Sequence, residues 1–308
     1  MSIKNVTIIG MGALGTMFGT VIQHKIGIEN VSFLMDEARY QKNISRPYFA
    51  NGAPADFRLI TPKNASPADL IIVSIKATGL EEALVTLESS VGPDTIIISA
   101  VNGIRSEEVL IDKFGPGHVI HAVAQGMDAT FFDHRLTYSQ TGCFCLGIID
   151  PSMQEKLDSL TAFFDGIGFS YVVEKNIRHR IWSKFMLNVG INQSCMIFAT
   201  GYGGGIAPAS EARMVMISAM REAMLVANAE GVNLTESDLA GYVGLMESLT
   251  PESMPSMAQD RINGKLSEVE EFAGTVIRLA MRHKILVPTN EFLYRKIMEI
   301  ETEYPELP

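Results

Sequence analysis

"VTIIGMGALGTMFG", residues Val6–Gly19, is the stretch whose reading decides the fold. Val6–Gly10 is an apolar strand-like run and Ala13–Lys25 has the composition of a helix, so Gly10, Gly12 and Gly15 fall at a strand-to-helix turn. A G-x-G-x-x-G spacing says little alone, but in that context each glycine has a mechanical reason. Gly10 permits the tight turn, Gly12 lets backbone amides approach a pyrophosphate, and Gly15 lets helix and strand pack closely. The helix N-terminus adds partial positive charge for phosphates. Gly10, Met11, Gly12, Ala13, Leu14 and Gly15 are therefore predicted to bind a dinucleotide. The competing reading, a glycine-rich bend with no ligand, fits poorly with the strand–helix–strand sequel.

That sequel begins with a second strand, Val31–Met35, ending at Asp36, 21 residues after Gly15. A carboxylate there accepts hydrogen bonds from an adenosine ribose 2′-hydroxyl, which favours NAD. The 2′-phosphate of NADP meets like charge at the same place, although Arg39 and Lys42 lie close enough in sequence to offset it. A plain surface acid is the alternative. Further strands are expected at Asp69–Ile75 and Thr95–Ala100, with helix around Leu80–Ser89 between them. Continuous apolar strands alternating with helices predict a parallel sheet covered on both faces. Strand-like segments at His118–Gln125, Leu136–Ser139 and Phe144–Ile149 lack intervening helices, so the sheet is expected to end in a more antiparallel region. Met153–Asp165 then reads as a helix and Ser170–Val173 as a short strand.

Past Glu174 the periodicity becomes helical: Arg178–Thr200, Ala209–Glu230, Glu236–Leu249, a long Ser267–His283, and Glu291–Thr302 after Pro288. Thr235 with Asp238 resembles a capping box, and Gly231 follows Glu230 as a helix stop. The expected organisation is a Rossmann-type α/β dinucleotide-binding domain over residues 1–174 and an all-α substrate domain over 175–308. No repeat at a period of 20–50 residues is evident.

The bulk numbers agree with two cores. The chain has 308 residues, 47% of them hydrophobic and 19% charged, and a mean hydropathy of +0.16, which is too apolar for disorder. A net charge of −10 and a pI near 5.1 disfavour nucleic acid, whose binding needs clustered Lys and Arg. Cys143, Cys145 and Cys195 form no C-x-x-C pair and read as reduced core residues. His118 and His121 lack the further ligands a metal needs, so no metal site is expected. Neither a leader peptide nor a membrane span is evident, so a cytoplasmic protein is expected. Met214, Met216 and Met220 offer apolar helix faces that suit either a plain core or a homodimer contact.

Two polar groups follow strand ends in the first half, Lys76 and the pair Asn102-Gly103. Ligands of open parallel sheets bind beyond the carboxyl ends of strands, so both are candidates for the same rim as the glycine turn, against solvated loop and ordinary turn as alternatives. In the second half, "RIWSKFMLNVGIN" (Arg180–Asn192) places Lys184, Asn188 and Asn192 four residues apart on one side of a helix. Such a stripe suits a pocket wall whose donors hold a carboxylate or carbonyl oxygen; a solvated helix face is the alternative. "PSMAQDRINGKLSEVEEF" (Pro255–Phe272) carries Ser256 and leads to Glu268, which with Glu270 and Glu271 also reads as an acidic first turn complementing a helix dipole.

Taken in order, GMGALG, Lys76, Asn102-Gly103, W-x-K-x-x-x-N-x-x-x-N (Trp182, Lys184, Asn188, Asn192) and S-M-x-Q-D ahead of S-E (Ser256, Met257, Gln259, Asp260, Ser267, Glu268) resemble the ketopantoate reductases over nearly the whole chain. The resemblance implies a fold like the 6-phosphogluconate dehydrogenase-like reductases. It also implies reduction of 2-dehydropantoate to (R)-pantoate with NADPH, in pantothenate and coenzyme A synthesis. By position it makes Lys184 the general acid and Glu268 the group that orients substrate and holds the lysine's proton network. Asn188, Asn192 and Ser256 become binders of the substrate's oxygens, and Lys76 and Asn102 bridge nicotinamide ribose and substrate. The sequence departs from the family at four places. Asp36 stands where an Arg often grips the 2′-phosphate. Gln193 follows Asn192 where many members have Pro, and Tyr202 and Ser253 replace expected asparagines. The departures point to a rival reading, an NAD-dependent D-2-hydroxyacid dehydrogenase acting on another branched 2-oxo acid. A nucleotide-sensing protein without turnover is the alternative of another class; it has no need of the Lys184 and Glu268 pair.

Overall fold

The computed structural model describes residues 2–304, and the chain divides into two compact units between Ile177 and Arg178. In the first unit β1 (Val6–Ile9) leads through α1 (Ala13–Ile26) to β2 (Val31–Leu34), and α2 (Glu37–Asn43) follows directly. After β3 (Tyr48–Ala50) and β4 (Ala53–Ala55) come β5 (Arg58–Ile60) and β6 (Leu70–Val73), then α3 (Leu80–Leu87), β7 (Ile96–Ser99) and α4 (Ser106–Phe114). Five of these strands form an all-parallel sheet in the order β5-β2-β1-β6-β7. Counted within the sheet this is 3-2-1-4-5, the doubly wound order of dinucleotide-binding folds.

β1, β2, β6 and β7 are buried along their whole lengths, as strands covered on both faces must be. Successive residues serve opposite layers. Val6 and Ile8 join Met17 and Phe18 of α1 in one core, while Ile9, Ile71 and Val73 join Leu80, Ala83 and Leu84 of α3 in the other. The unit continues with β8 (His121–Met127), β9 (Thr130–Phe132), β10 (Arg135–Thr137), β11 (Thr141–Gly147), α5 (Gln154–Ile167) and β12 (Tyr171–Val173). The expected antiparallel region is a separate sheet, β12-β11-β8, in which β11 runs antiparallel to β8 and parallel to β12. A single parallel bridge, Ile97 to Val119, ties its approach to β7. A further small sheet, β4-β3-β10-β9, is built of three-residue strands. Cys145 is buried and Cys143 half-buried.

The second unit is helical: α6 (Ile177–Ile197), α7 (Tyr202–Ile206), α8 (Glu211–Ala229), α9 (Glu236–Glu247), α10 (Ser256–Ile262), α11 (Thr275–His283) and α12 (Pro288–Glu301). From Ile181 to Met196 every residue of α6 except Lys184 and Leu187 is buried, so α6 is the core helix of this unit. Thr235 and Asp238 form the reciprocal capping box at the start of α9. Met216 and Met220 are fully buried and Met214 is exposed. Glu222 of α8 accepts from the amides of Thr289 and Asn290 and from the Asn290 side chain at 2.7–2.8 Å, fastening the first turn of α12 to α8 with a carboxylate at its positive end.

The one long helix expected over Ser267–His283 is instead interrupted. Residues Glu270–Gly274 wind as a π-helical turn before α11 begins at Thr275. No helix among the described residues is long and apolar enough to cross a membrane, and no group of three or more His, Cys, Asp or Glu side chains among them is placed to hold a metal ion.

Candidate functional site

In the α/β unit the chain passes from β1 to β2 and β5 on one side, then crosses over to β6 and β7 on the other. A crevice opens at such a crossover, beyond the carboxyl ends of the two central strands. Here it is a cavity of about 360 Å³ lined by Gly10, Met11 and Gly12, by Asp36 and Arg39, and by Ser74, Lys76 and Thr78, among others. The register aligns Ile9 with Val73 and Val73 with Ser99. Lys76 and Asn102 each therefore lie three residues beyond equivalent strand ends. Lys76 lines the crevice. Asn102 is half-buried in the turn with Gly103, whose φ is +108°, and is not part of the lining.

The three glycines of the turn answer to different demands. Gly10 has φ +104°, and a Cβ on it would lie 2.1 Å from the Ser74 carbonyl oxygen. A Cβ on Gly15 would lie 1.9 Å from the Gly10 carbonyl oxygen. Both are imposed by the protein's own backbone. Gly12 has φ −89° and ψ −165°, open to any residue, and a Cβ on it would meet nothing within 4 Å. Its side of the turn faces the crevice, so only something entering the crevice needs the missing side chain. Gly12 also caps α1 without a side-chain hydrogen bond, and the first turn carries no acidic residue. The first intrahelical bond is Thr16 N to Gly12 O at 3.0 Å, which leaves the amides of Ala13, Leu14 and Gly15 among the donors that a helix cannot satisfy internally. A dinucleotide's phosphates fit this turn.

Asp36 is not the end of β2, which stops at Leu34; it is the N-cap of α2. One carboxylate oxygen accepts from Arg39 N at 2.8 Å and the other from the Arg39 guanidinium at 2.8 Å. Their side chains are 38% and 66% exposed, and exposed pairs of this kind contribute ~0–1 kcal/mol. The second oxygen is therefore only weakly held by Arg39. Arg39 and Asn43 stand in the crevice wall, whereas Lys42 does not. Asn43 was missed in the sequence because its placement depends on α2.

In the helical unit the polar row on α6 is interior. Asn188 is 8% exposed and Asn192 6%, which rules out a solvated face. Asn192 Nδ2 donates to Asn188 Oδ1 at 3.2 Å. Its own Oδ1 accepts from Ser256 Oγ at 3.0 Å and from Met257 N at 3.3 Å. Asn192 thus caps α10, which has no side-chain cap of its own, and the relay Ser256 to Asn192 to Asn188 directs the Asn188 amide nitrogen away from Asn192. Lys184 is half-buried one turn earlier, and Glu268 is buried at the approach to the π-helical turn. Nearby Cys195 has its thiol pushed up to about 12 by burial; protonated, it packs and donates to Gly201 O at 3.4 Å rather than reacting. Tyr202 N donates to Ser253 O at 2.9 Å, so the two substituted family positions are adjacent.

Residues 6–130 match the family model described as ketopantoate reductase PanE/ApbA, and residues 176–301 match its C-terminal companion. A 2-dehydropantoate 2-reductase of Streptococcus pyogenes is 26% identical over 281 residues, covering 88% of this chain and 89% of that protein. Among solved structures, D-mandelate dehydrogenase with NADH and anilino(oxo)acetate superposes with a TM-score of 0.86 at 21% identity, covering 97% of this chain and 99% of that one. A dimeric ketopantoate reductase from Staphylococcus aureus superposes with a TM-score of 0.79 at 22% identity, covering 98% and 100%. The two family matches, one on the α/β unit and one on the helical unit, place the chain in the ketopantoate reductase family of NAD(P)-dependent oxidoreductases.

Proposed function

We propose that the chain reduces 2-dehydropantoate to (R)-pantoate and uses NADH in preference to NADPH. The observation that carries this reading is the interior row on α6, where the buried amides of Asn188 and Asn192 share one helix face with the half-buried Lys184. The glycine turn would hold the pyrophosphate of a nicotinamide dinucleotide, which when bound would supply hydride to the carbonyl carbon. Lys184 stabilises the alkoxide that develops on the carbonyl oxygen and delivers its proton. Asn188, at the end of the relay from Ser256, donates to a substrate oxygen. Asn192 and Ser256 hold that donor in orientation, and Glu268 orients substrate and sustains the lysine's proton supply. Lys76 and Asn102 take the ribose side of the reaction. The preference for NADH rests on Asp36, a carboxylate where a 2′-phosphate would fall. The S. aureus relative is described as dimeric, and a homodimer is part of this reading.

A second reading, an NAD-dependent D-2-hydroxyacid dehydrogenase for another branched or aryl 2-oxo acid, is favoured by the paired changes at Tyr202 and Ser253. Steady-state rates with ketopantoate, 2-oxoisovalerate and phenylglyoxylate, each with NADH and NADPH, separate the two. The highest kcat/KM is expected for ketopantoate with NADH; a higher value for phenylglyoxylate transfers the assignment to the second reading. Asp36→Arg is expected to raise the NADPH-to-NADH ratio of kcat/KM by about 10–100-fold, because charge-assisted hydrogen bonds contribute ~1.5–3 kcal/mol. An unchanged ratio removes Asp36 from cofactor choice.

A further inference from the structure

The helical ladder ahead of α11 is broken by a side chain from α6. Glu271 N and Phe272 N both donate to Glu268 O, at 3.0 and 3.2 Å, and Gly274 N donates to Val269 O at 3.0 Å, five residues back. In a regular α-helix Val269 O would take the N–H of Ala273. That N–H donates instead to Oε1 of Gln193 at 3.2 Å, while Gln193 Nε2 donates to Val189 O at 2.6 Å. Gln193 is fully buried, so both ends of its amide are satisfied inside the protein, as a buried amide requires. Insertion of a side chain into the ladder is a recognised cause of such a local distortion. Here the distortion immediately follows Glu268.

We propose that Gln193 is a positioning residue for Glu268: its carbonyl, wedged into the ladder at Ala273, holds the Glu270–Gly274 π-turn and thereby sets the direction in which Glu268 leaves the helix. A π-turn carries one residue more than the α-helical turn it replaces. Relaxing it would swing the residues at its start by about the 100° that one residue subtends. Gln193 sits on the helix that also carries Lys184, Asn188 and Asn192, so one amide fixes the approach of the carboxylate to that row. The inference rests on the catalytic reading of Lys184 and Glu268 given above.

Two variants test it on the full-length protein. Gln193→Leu keeps the volume and removes both hydrogen bonds. Gln193→Glu, when protonated, still offers a carbonyl to Ala273 and an O–H to Val189, and loses the latter on ionisation. Deuterium uptake by the 268–276 segment is expected to rise in Gln193→Leu. Its kcat is expected to fall about 10–100-fold, the scale of a ~1 Å misplacement, with the KM for dinucleotide unchanged. Gln193→Glu, expressed as a ratio to wild type at each pH, is expected to approach wild-type kcat at low pH and decline as pH rises. A folded Gln193→Leu with wild-type exchange and kcat overturns the proposal. So does a Gln193→Glu ratio that stays well below wild type at every pH, since either form of that carboxyl accepts from Ala273 N, and this also decides the matter if Gln193→Leu does not fold. Retained turnover in Lys184→Ala and Glu268→Gln would instead overturn the catalytic reading beneath it, a separate result.

Discussion

Lys184→Ala is expected to lower the rate of 2-oxo acid reduction by ~10²–10⁴-fold, the scale of a lost general acid, and to leave dinucleotide binding unchanged. The separation of the two effects follows from where the groups reside. The crevice that suits a dinucleotide is built from the ends of β1 and β2, the glycine turn, α2, the segment that follows β6, and α3, all within the α/β unit. Lys184 belongs to α6 of the helical unit and is not one of the lining residues. Stopped-flow absorbance at the nicotinamide band measures turnover, and quenching of nicotinamide fluorescence measures binding. Loss of binding together with turnover would return Lys184 to a structural role. Full turnover would remove it from the mechanism and favour the nucleotide-sensing alternative.

The second large effect divides the glycines. Gly10→Ala forces a residue with φ +104° against a backbone carbonyl; left-handed strain costs about 1–3 kcal/mol and overpacking about 1–3 kcal/mol more. Gly15→Ala meets the Gly10 carbonyl even more closely. Against the ~5–15 kcal/mol that holds a typical domain folded, both variants are expected to melt far below wild type or to be recovered insoluble. Gly12→Val has neither penalty in the protein itself. It is expected to melt close to wild type and to bind NADH at least ~10-fold more weakly, since each charge-assisted hydrogen bond displaced from the phosphates contributes ~1.5–3 kcal/mol. Thermal melts with fluorescence titration check all three. A Gly12→Val protein that binds normally would mean that phosphates do not approach this turn, and a stable Gly15→Ala would contradict the packing described.

What the sequence made legible follows from physics acting at short range. The strands at β1, β2, β6 and β7 were readable because a strand buried on both faces is a continuous apolar run, and the turn after β1 was readable because two of its glycines have no substitute. The capping box at Thr235 and Asp238 is a local pattern and was present as expected. The short strands β3, β4 and β9 span three residues each, too few for any period to show, and they are specified by their neighbours, whereas β10 (Arg135–Thr137) overlaps the run expected at Leu136–Ser139. Asp36 was read as a strand end although Asp-Glu-Ala-Arg is also a cap with its first turn, and the cap is what formed. The interiority of Asn188 and Asn192 was not legible, because a lysine and two amides in a row look the same on a wet face as on a buried one. Least legible was the π-turn. Its cause, Gln193, lies 80 residues away in sequence from the amide it captures, and no local propensity in the Glu268–Gly274 stretch announces it.

The central claim is that one ammonium serves the carbonyl that the nicotinamide reduces, and a crystal structure of the ternary complex with NAD and a bound 2-hydroxy acid measures it directly. The account predicts Lys184 Nζ at hydrogen-bonding distance, about 2.7–3.2 Å, from the 2-hydroxyl oxygen, with C2 of the ligand facing the nicotinamide. Lys184 Nζ turned to bulk water while another group holds that oxygen would contradict it.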